Sequence, residues 1–350
     1  MPPRTHQNLG QIAKQANVPI TSVWKVMLDQ GGMIDYDEFT RIKALITPLE
    51  TDDPASDERS NGAAATQPTG SRIHSIGISL QTPTKGVALG YQGVIMDAIT
   101  RAIDPKRQLL VTYYYVYTDF PNMQDFVQHV DGVIIVGGVR SQVADACRNA
   151  GRPYVLVDPG SREIDELGVM LVIDNVSAIE SLVKHVTDLG HRKIGMITGD
   201  MAHIVVRERL DIFQAMLQRL GLQQNPDWIA STIWQEYSGY EAAMQMLQLP
   251  DHPTAILAAN DLVAIGVIRA VRELGFVVGQ DISVTGFDDL PQASEDYLQI
   301  TTIRQPLSEI GARALALMTS AVNGSFPDDR IVRVQTELIV RKSTGPAPSS

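Results

Sequence analysis

Cysteine is almost absent from this chain: Cys147 is the only one in 350 residues. A single thiol excludes an internal disulfide and a cysteine-rich zinc site. Long apolar runs are absent too. No stretch approaches the ~18 consecutive apolar residues of a membrane-crossing helix, and the polar residues 1–9 contain no apolar signal core. The expectation is a cytoplasmic protein. Catalytic signatures are also missing: no G-x-S-x-G, no Walker loop, no H-E-x-x-H and no G-x-G-x-x-G after a strand. Neither an enzyme nor a bound metal or cofactor is expected. Basic residues are outnumbered 29 to 40, a net charge of −11. Taken as a total, that weighs against a nucleic-acid partner, because phosphate attracts basic surfaces.

What is present is unevenly distributed. Residues 51–72 contain no Val, Ile, Leu, Met, Phe, Trp, Tyr or Cys. Such a segment cannot bury enough apolar surface to offset its ordering entropy, so it is expected to be a flexible linker. It separates a head, residues 1–50, from a body, 73–343, followed by a short tail, 344–350, expected to be disordered. The head carries five basic and five acidic side chains, and the linker two and four. Residues 1–28 carry Arg4, Lys14 and Lys25 and no acid. The negative total therefore resides in the body and linker, and the front of the head keeps a positive face.

In the head, Leu9, Ile12, Ala13 and Ala16 recur at helical spacing, predicting a helix over 8–16. Asn17 suits the left-handed conformation of a tight turn, and Pro19 suits a helix start. A second helix is predicted over 19–28 with Val23, Val26 and Met27 inward. A third, over 37–45, buries Phe39, Ile42 and Leu45. Three such helices form either a helix-turn-helix unit or a small bundle for protein contact. In the first case the second helix enters the DNA major groove, placing Ile20, Thr21 and Ser22 at base edges and Lys25 at a phosphate.

The body alternates short apolar strands with helices. Strands are predicted at 73–80, 109–117, 133–136, 154–157, 169–173, 193–198, 255–258 and 283–287. Helices are predicted at 87–103, 176–189, 205–220 and 261–274. This alternation specifies an α/β fold with parallel sheets, and the number of strands favours two sheets. Ligands in such folds bind beyond the carboxyl ends of strands. That singles out Gln81, Asp158, Asn260, Asp261, Asp288 and Asp289. His191 falls in a turn after Gly190, and Cys147 reads as helix core filler.

The ordered segments IAKQANVPITSVWKV, VDGVIIVGG, RPYVLVD, DLGHRKIGMITGD, AILAANDLVAIGVIRAVRELG, DISVTGFDD and TTIRQPLSEIGARA resemble the lactose/galactose-repressor family of bacterial transcription regulators. The resemblance implies a helix-turn-helix head and a two-lobed, periplasmic-binding-protein-like core with a small-molecule effector between the lobes. It places one lobe at about 73–173 with 303–330 and the other at about 174–302 with 331–343. It implies a homodimer on a pseudo-palindromic operator, without a membrane partner, and it implies a repressor of sugar utilisation. By matching position it assigns the effector to Asp158, Arg209, Trp234, Asn260, Asp288 and Gln305, beside the strand-end Gln81. The effector is expected to be a sugar, with a purine as the other class that these groups suit. Each residue has a plainer use: Trp234 as packing, Arg209 paired with Glu208 or Asp211, Asp261 and Asp289 as caps. The competing function is a solute-sensing protein whose head contacts protein rather than DNA.

The sequence departs from the family pattern in the head and linker. Trp24 and Lys25, the rest of the expected DNA-facing set, stand where Ser and Arg are usual, and Leu28 stands for a usual Asn. The family's hinge helix ends in a leucine that wedges into the minor groove. Here ungapped counting puts Pro68 at that leucine, and proline cannot continue a helix interior. The linker's net −2 also repels phosphate. Specific DNA binding is therefore expected to be weaker or to use the heads alone. Thr84 to Val87 replace an aromatic-rich loop, and no heptad run follows the core, so no tetramerising coiled coil is expected.

Overall fold

A computed structural model of the chain describes residues 12–19, 22–23, 26, 32–50, 74–81, 90–115, 122–137, 142–159 and 164–348. Among these residues no helix is long and apolar enough to cross a membrane. They build two parallel sheets flanked by helices, as the alternating pattern predicts. The first sheet contains β1 (Gly32–Asp35), β2 (His74–Gln81), β3 (Gln108–Tyr115), β4 (Gly132–Val136), β5 (Tyr154–Val157) and β6 (Gly168–Ile173). The second contains β7 (Ile194–Thr198), β8 (Ile229–Ser231), β9 (Ala255–Ala258), β10 (Ser283–Asp288) and β11 (Thr301–Arg304). Two further strands, β12 (Ile331–Val334) and β13 (Glu337–Ile339), join one sheet each. The strand orders are β1-β3-β2-β4-β5-β6-β12 and β13-β11-β10-β9-β7-β8. Among the described strands, β13 alone runs antiparallel to its neighbour.

The strands follow from composition. In β4, β5, β6, β7 and β9 every residue is buried, which is why they read as unbroken apolar runs: both faces of a parallel sheet are covered by helices. On the first sheet, α1 (Tyr36–Glu50), α3 (Met123–Gln128) and α4 (Gln142–Asn149) cover one face, and α2 (Tyr91–Ala102) and α9 (Leu307–Val322) the other. The α2–α9 contact is close because Gly311 has no side chain: a Cβ there would lie 2.7 Å from the Ile95 carbonyl oxygen. The second sheet is covered by α5 (Asn175–Asp188) and α6 (Ile204–Arg219) on one face and α7 (Glu236–Leu247) and α8 (Asp261–Glu273) on the other. Cys147 is fully buried on α4, where desolvation pushes its thiol up to about 12. It is core filler, as predicted. His191 lies in the turn after α5 but is buried, with its ring between Thr254 and Ser283.

The chain crosses between lobes after β6, after β11 and after β12. The strand at 331–334, expected in the second lobe, pairs with β6 of the first, Ile331 against Met170. Thr301–Arg304, which straddles the expected division after residue 302, pairs with β10 as a unit. The three- or four-residue strands at the later crossovers carry too little periodicity to mark the division in sequence. The tail also differs from expectation. The Thr344 hydroxyl lies 2.9 Å from His185 Nε2, Gly345 N–H donates to Ser283 Oγ, and Ala347 N–H donates to the Leu189 carbonyl. Backbone groups, which polarity statistics ignore, fix residues 344–347.

The head shows the largest difference. Residues 12–16 are helical, Asn17 turns at φ 53°, and Ile12, Ala13, Ala16, Val23 and Val26 are buried, as predicted. The third helix, however, begins at Tyr36, runs to Glu50, and follows a strand. That strand, β1, extends the first sheet, Ile34 against Val111 and Asp35 against Thr112. Ile34, Tyr36, Phe39 and Ile42 join one apolar cluster with Tyr113, Phe126 and Val127 of the first lobe. Each such side chain contributes about 1.5–3 kcal/mol on full burial. Strand β1 and helix α1, expected within the head, thus pack against the first lobe.

Candidate functional site

The strand ends of both sheets meet between the lobes, and Leu290 of the second lobe packs into the first lobe's apolar cluster with Tyr91 and Val94 of α2. Four residues here have left-handed backbone: Asp158 after β5 (φ 50°), Trp234 before α7 (φ 68°), and Asp288 and Asp289 at the end of β10 (φ 107° and 57°). Aspartate tolerates this region, but for a bulky residue such as tryptophan it is an outlier. Such conformations cost roughly 1–3 kcal/mol each and gather at functional sites.

Asp288 is the centre of the site. Its carboxylate is buried and accepts a 2.5 Å hydrogen bond from Gln305 Nε2. Burial, reinforced by the neighbouring Asp261, raises its proton affinity well above the ordinary carboxylate range, and Arg209 partly opposes this. Arg209 projects from α6 and is itself buried. Its Nε donates to Asn175 Oδ1 at 2.9 Å, and its guanidinium lies 3.7 Å from the centre of the Phe287 ring. This stacked, singly tied guanidinium replaces the surface pairing with Glu208 or Asp211: Glu208 accepts instead from Asn175 Nδ2.

Three polar atoms in this region are buried without a partner: Tyr91 Oη, His203 Nε2 and Gln305 Oε1. An unpaired buried polar group costs about 1–3 kcal/mol, so native proteins seldom leave three together. Tyr91, at the start of α2, lies in the field of Asp158, Asp288 and Arg209. Its phenol is held neutral by burial and by the two carboxylates. His203 precedes α6 and meets the Trp234 ring edge-on at 5.9 Å. Burial lowers its proton affinity, with Asp200 and Asp158 opposing. The Trp234 ring rests on Gly199, where any side chain would enter the ring. One side thus offers a flat aromatic face and the other a row of directed donors and acceptors.

The structure brings Asp158, Arg209, Trp234, Asp288 and Gln305 to this one region. Asn260 is the α8 cap: its Oδ1 accepts from Val263 N–H at 2.8 Å, and its Nδ2 reaches the Trp234 carbonyl at 3.4 Å. It holds the Trp234 loop. Asp261, expected as a cap, is instead fully buried, accepting from Thr302 Oγ1 at 2.6 Å and Leu290 N–H at 2.7 Å. Asp289 also is no cap: it bridges Arg304 and Arg341, each at 2.7 Å. Gln81 ends β2, and its side chain is outside the described residues, as are residues 84–87. Tyr91 and His203 are not among the sequence-predicted residues. Their signal is unpaired burial, which exists only in the folded chain. Among the described residues no cluster of His, Cys, Asp and Glu is arranged to hold a metal ion.

Of the expected DNA-facing residues, Ile20, Thr21, Trp24 and Lys25 lie outside the described residues. Ser22 does not face outward. It is buried, and its hydroxyl donates to Glu38 of α1 at 2.8 Å. The helix that packs beneath it takes up the hydroxyl, so Ser22 is removed from the expected base contacts.

Comparison with known proteins agrees with the α/β, periplasmic-binding-protein-like fold. The family profile described as a periplasmic binding protein-like domain matches residues 183–344. The HTH-type transcriptional repressor PurR of Pasteurella multocida is 35% identical over 221 residues, 62% of this chain and 65% of the relative. The HTH-type transcriptional repressor CytR of Escherichia coli is 32% identical over 224 residues, 63% of this chain and 64% of the relative. The matches thus span slightly less than two thirds of these relatives. Among solved structures, the lac repressor dimer bound to operator and the anti-inducer ONPF superposes with a TM-score of 0.68 at 27% identity, covering 79% of this chain and 96% of that one.

Proposed function

We propose that the chain, similar to members of the lactose/galactose-repressor family over most of its body, is one of that family: a cytoplasmic, effector-controlled DNA-binding transcriptional regulator, a repressor of sugar-utilisation genes. The observation that carries the effector half is the set of unpaired buried atoms, Tyr91 Oη, His203 Nε2 and Gln305 Oε1, beside Arg209, Asp158 and Asp288. A hydroxylated ring between the lobes satisfies these groups and stacks on Trp234. The same chemistry suits a purine, which is the alternative class. The protein acts as a homodimer on a pseudo-palindromic operator. The exposed Tyr237 and Tyr297 of the second lobe supply aromatic side chains of the kind enriched at interfaces.

Effector control follows from linkage. A ligand that binds one lobe arrangement more tightly shifts the population, and whatever DNA geometry that arrangement favours shifts with it. The test is a thermal-shift screen of sugars and purines, followed by DNA binding to fragments flanking the gene. A ligand that binds only the folded state raises the midpoint. Affinity for DNA should fall steeply with salt, and Lys25→Ala should reduce the slope by about one. Absence of binding to any flanking fragment at low salt would favour a head that contacts protein.

A further inference from the structure

Residues 32–45 do more than complete a three-helix head. Strand β1 pairs in parallel with β3, and the chain then runs through α1 and residues 51–73 to β2, which pairs in parallel with β3 on its other side. Strand, crossover helix and parallel strand make a βαβ unit of the first sheet. Without β1, the edge of β3 would present a row of unpaired backbone groups.

The contacts beyond the ladder are specific. Tyr36 Oη donates to Asp125 Oδ2 at 2.6 Å, and its ring meets Phe126 edge-on at 5.0 Å and Tyr113 at 5.9 Å. Thr112 Oγ1 donates to the Ile34 carbonyl at 3.4 Å, and Phe39 lies edge-on to His129. Ile12, Ala16, Val23 and Val26 belong to the same apolar cluster as Phe126 and Val133. The helices that would read DNA therefore rest on α1, and α1 rests on the first lobe.

We propose that residues 32–45 are a dock that fastens the helix-turn-helix segment to the first lobe as one rigid body. Where the chain acts on DNA as proposed above, the orientation of its reading helices is set by the first lobe, and lobe movement turns them directly. The dock itself does not depend on that reading.

The test uses the full chain without DNA. Spin labels on Gln15 and Arg101, both exposed, should give one narrow distance distribution that does not change when a protease site introduced within 51–72 is cut. The cut N-terminal fragment should co-elute with the rest on size exclusion. Ile34→Asp with Tyr36→Asp should broaden the distribution in the intact chain and release the fragment after cutting, without loss of the folded core's thermal transition. A broad distribution in the otherwise wild-type chain, or a fragment that elutes alone, would overturn the dock while leaving DNA binding by a tethered head untouched.

Discussion

Replacing Asp261 by asparagine should change how stability depends on pH. Asp261 is fully buried under the cleft, and desolvation raises its pKa from 3.8 to about 7. The hydrogen bonds from Thr302 and Leu290 only partly offset this. The folded protein therefore retains a proton between about pH 4 and 7 that the unfolded chain has lost. In that window the native state binds more protons, so stability falls as pH rises. At 1.36 kcal/mol per unit, the stability lost from this group across the window is about 4 kcal/mol. An asparagine amide has the shape of the protonated acid and no charge to bury. Asp261→Asn should thus match the parent near pH 4 and gain on it steadily towards pH 8. Urea unfolding midpoints of the two proteins at several pH values measure the difference. Parallel midpoint curves, or a variant that loses ground as pH rises, would refute the burial argument.

Three further outcomes follow from the same geometry. Arg209→Met keeps the apolar stem but leaves Asn175 Oδ1 unpaired, costing about 1–3 kcal/mol. It should also abolish the thermal shift given by any ligand that stabilises the parent. Gly199→Ala places a methyl inside the Trp234 ring, at an overpacking cost of about 1–3 kcal/mol. Tryptophan emission should report a displaced ring, and ligand affinity should fall more than stability does. His191 is held neutral by burial among Thr254, Ser283 and Gly345, so its contribution is present above about pH 6.5 and lost as pH falls below that. Hydrogen-exchange protection at Gly345 and Ala347 should drop on acidification in the parent and stay level in His191→Gln.

The strands legible in sequence are those whose composition has only one solution. Runs such as GVIIV and YVLV are buried throughout and cannot lie on a surface. Strands β8, β11, β12 and β13 are three or four residues long, and β12 and β13 are largely partly exposed, so periodicity carries little signal there. Strand β1 escapes prediction for a related reason: GMID in a glycine-rich setting reads as a turn, and only its pairing with β3 makes it a strand. Of the site, Asp158, Arg209, Trp234, Asp288 and Gln305 are reachable from strand ends and family resemblance. The exchange of roles between Asn260 and Asp261 is not, because a cap and a buried carboxylate look alike in sequence. Tyr91 and His203 are invisible there, since being unpartnered is a property of the packed protein.

In the proposed function, a small molecule between the lobes controls DNA binding. Fluorescence anisotropy of labelled DNA flanking the gene, titrated with the protein at low salt with and without the ligand found by thermal shift, tests it directly. Affinity should change at least ~5-fold on adding ligand, within the usual range of allosteric coupling. Arg209→Met should bind DNA but no longer respond. DNA binding that is identical with and without a ligand shown to occupy the cleft would contradict the proposal.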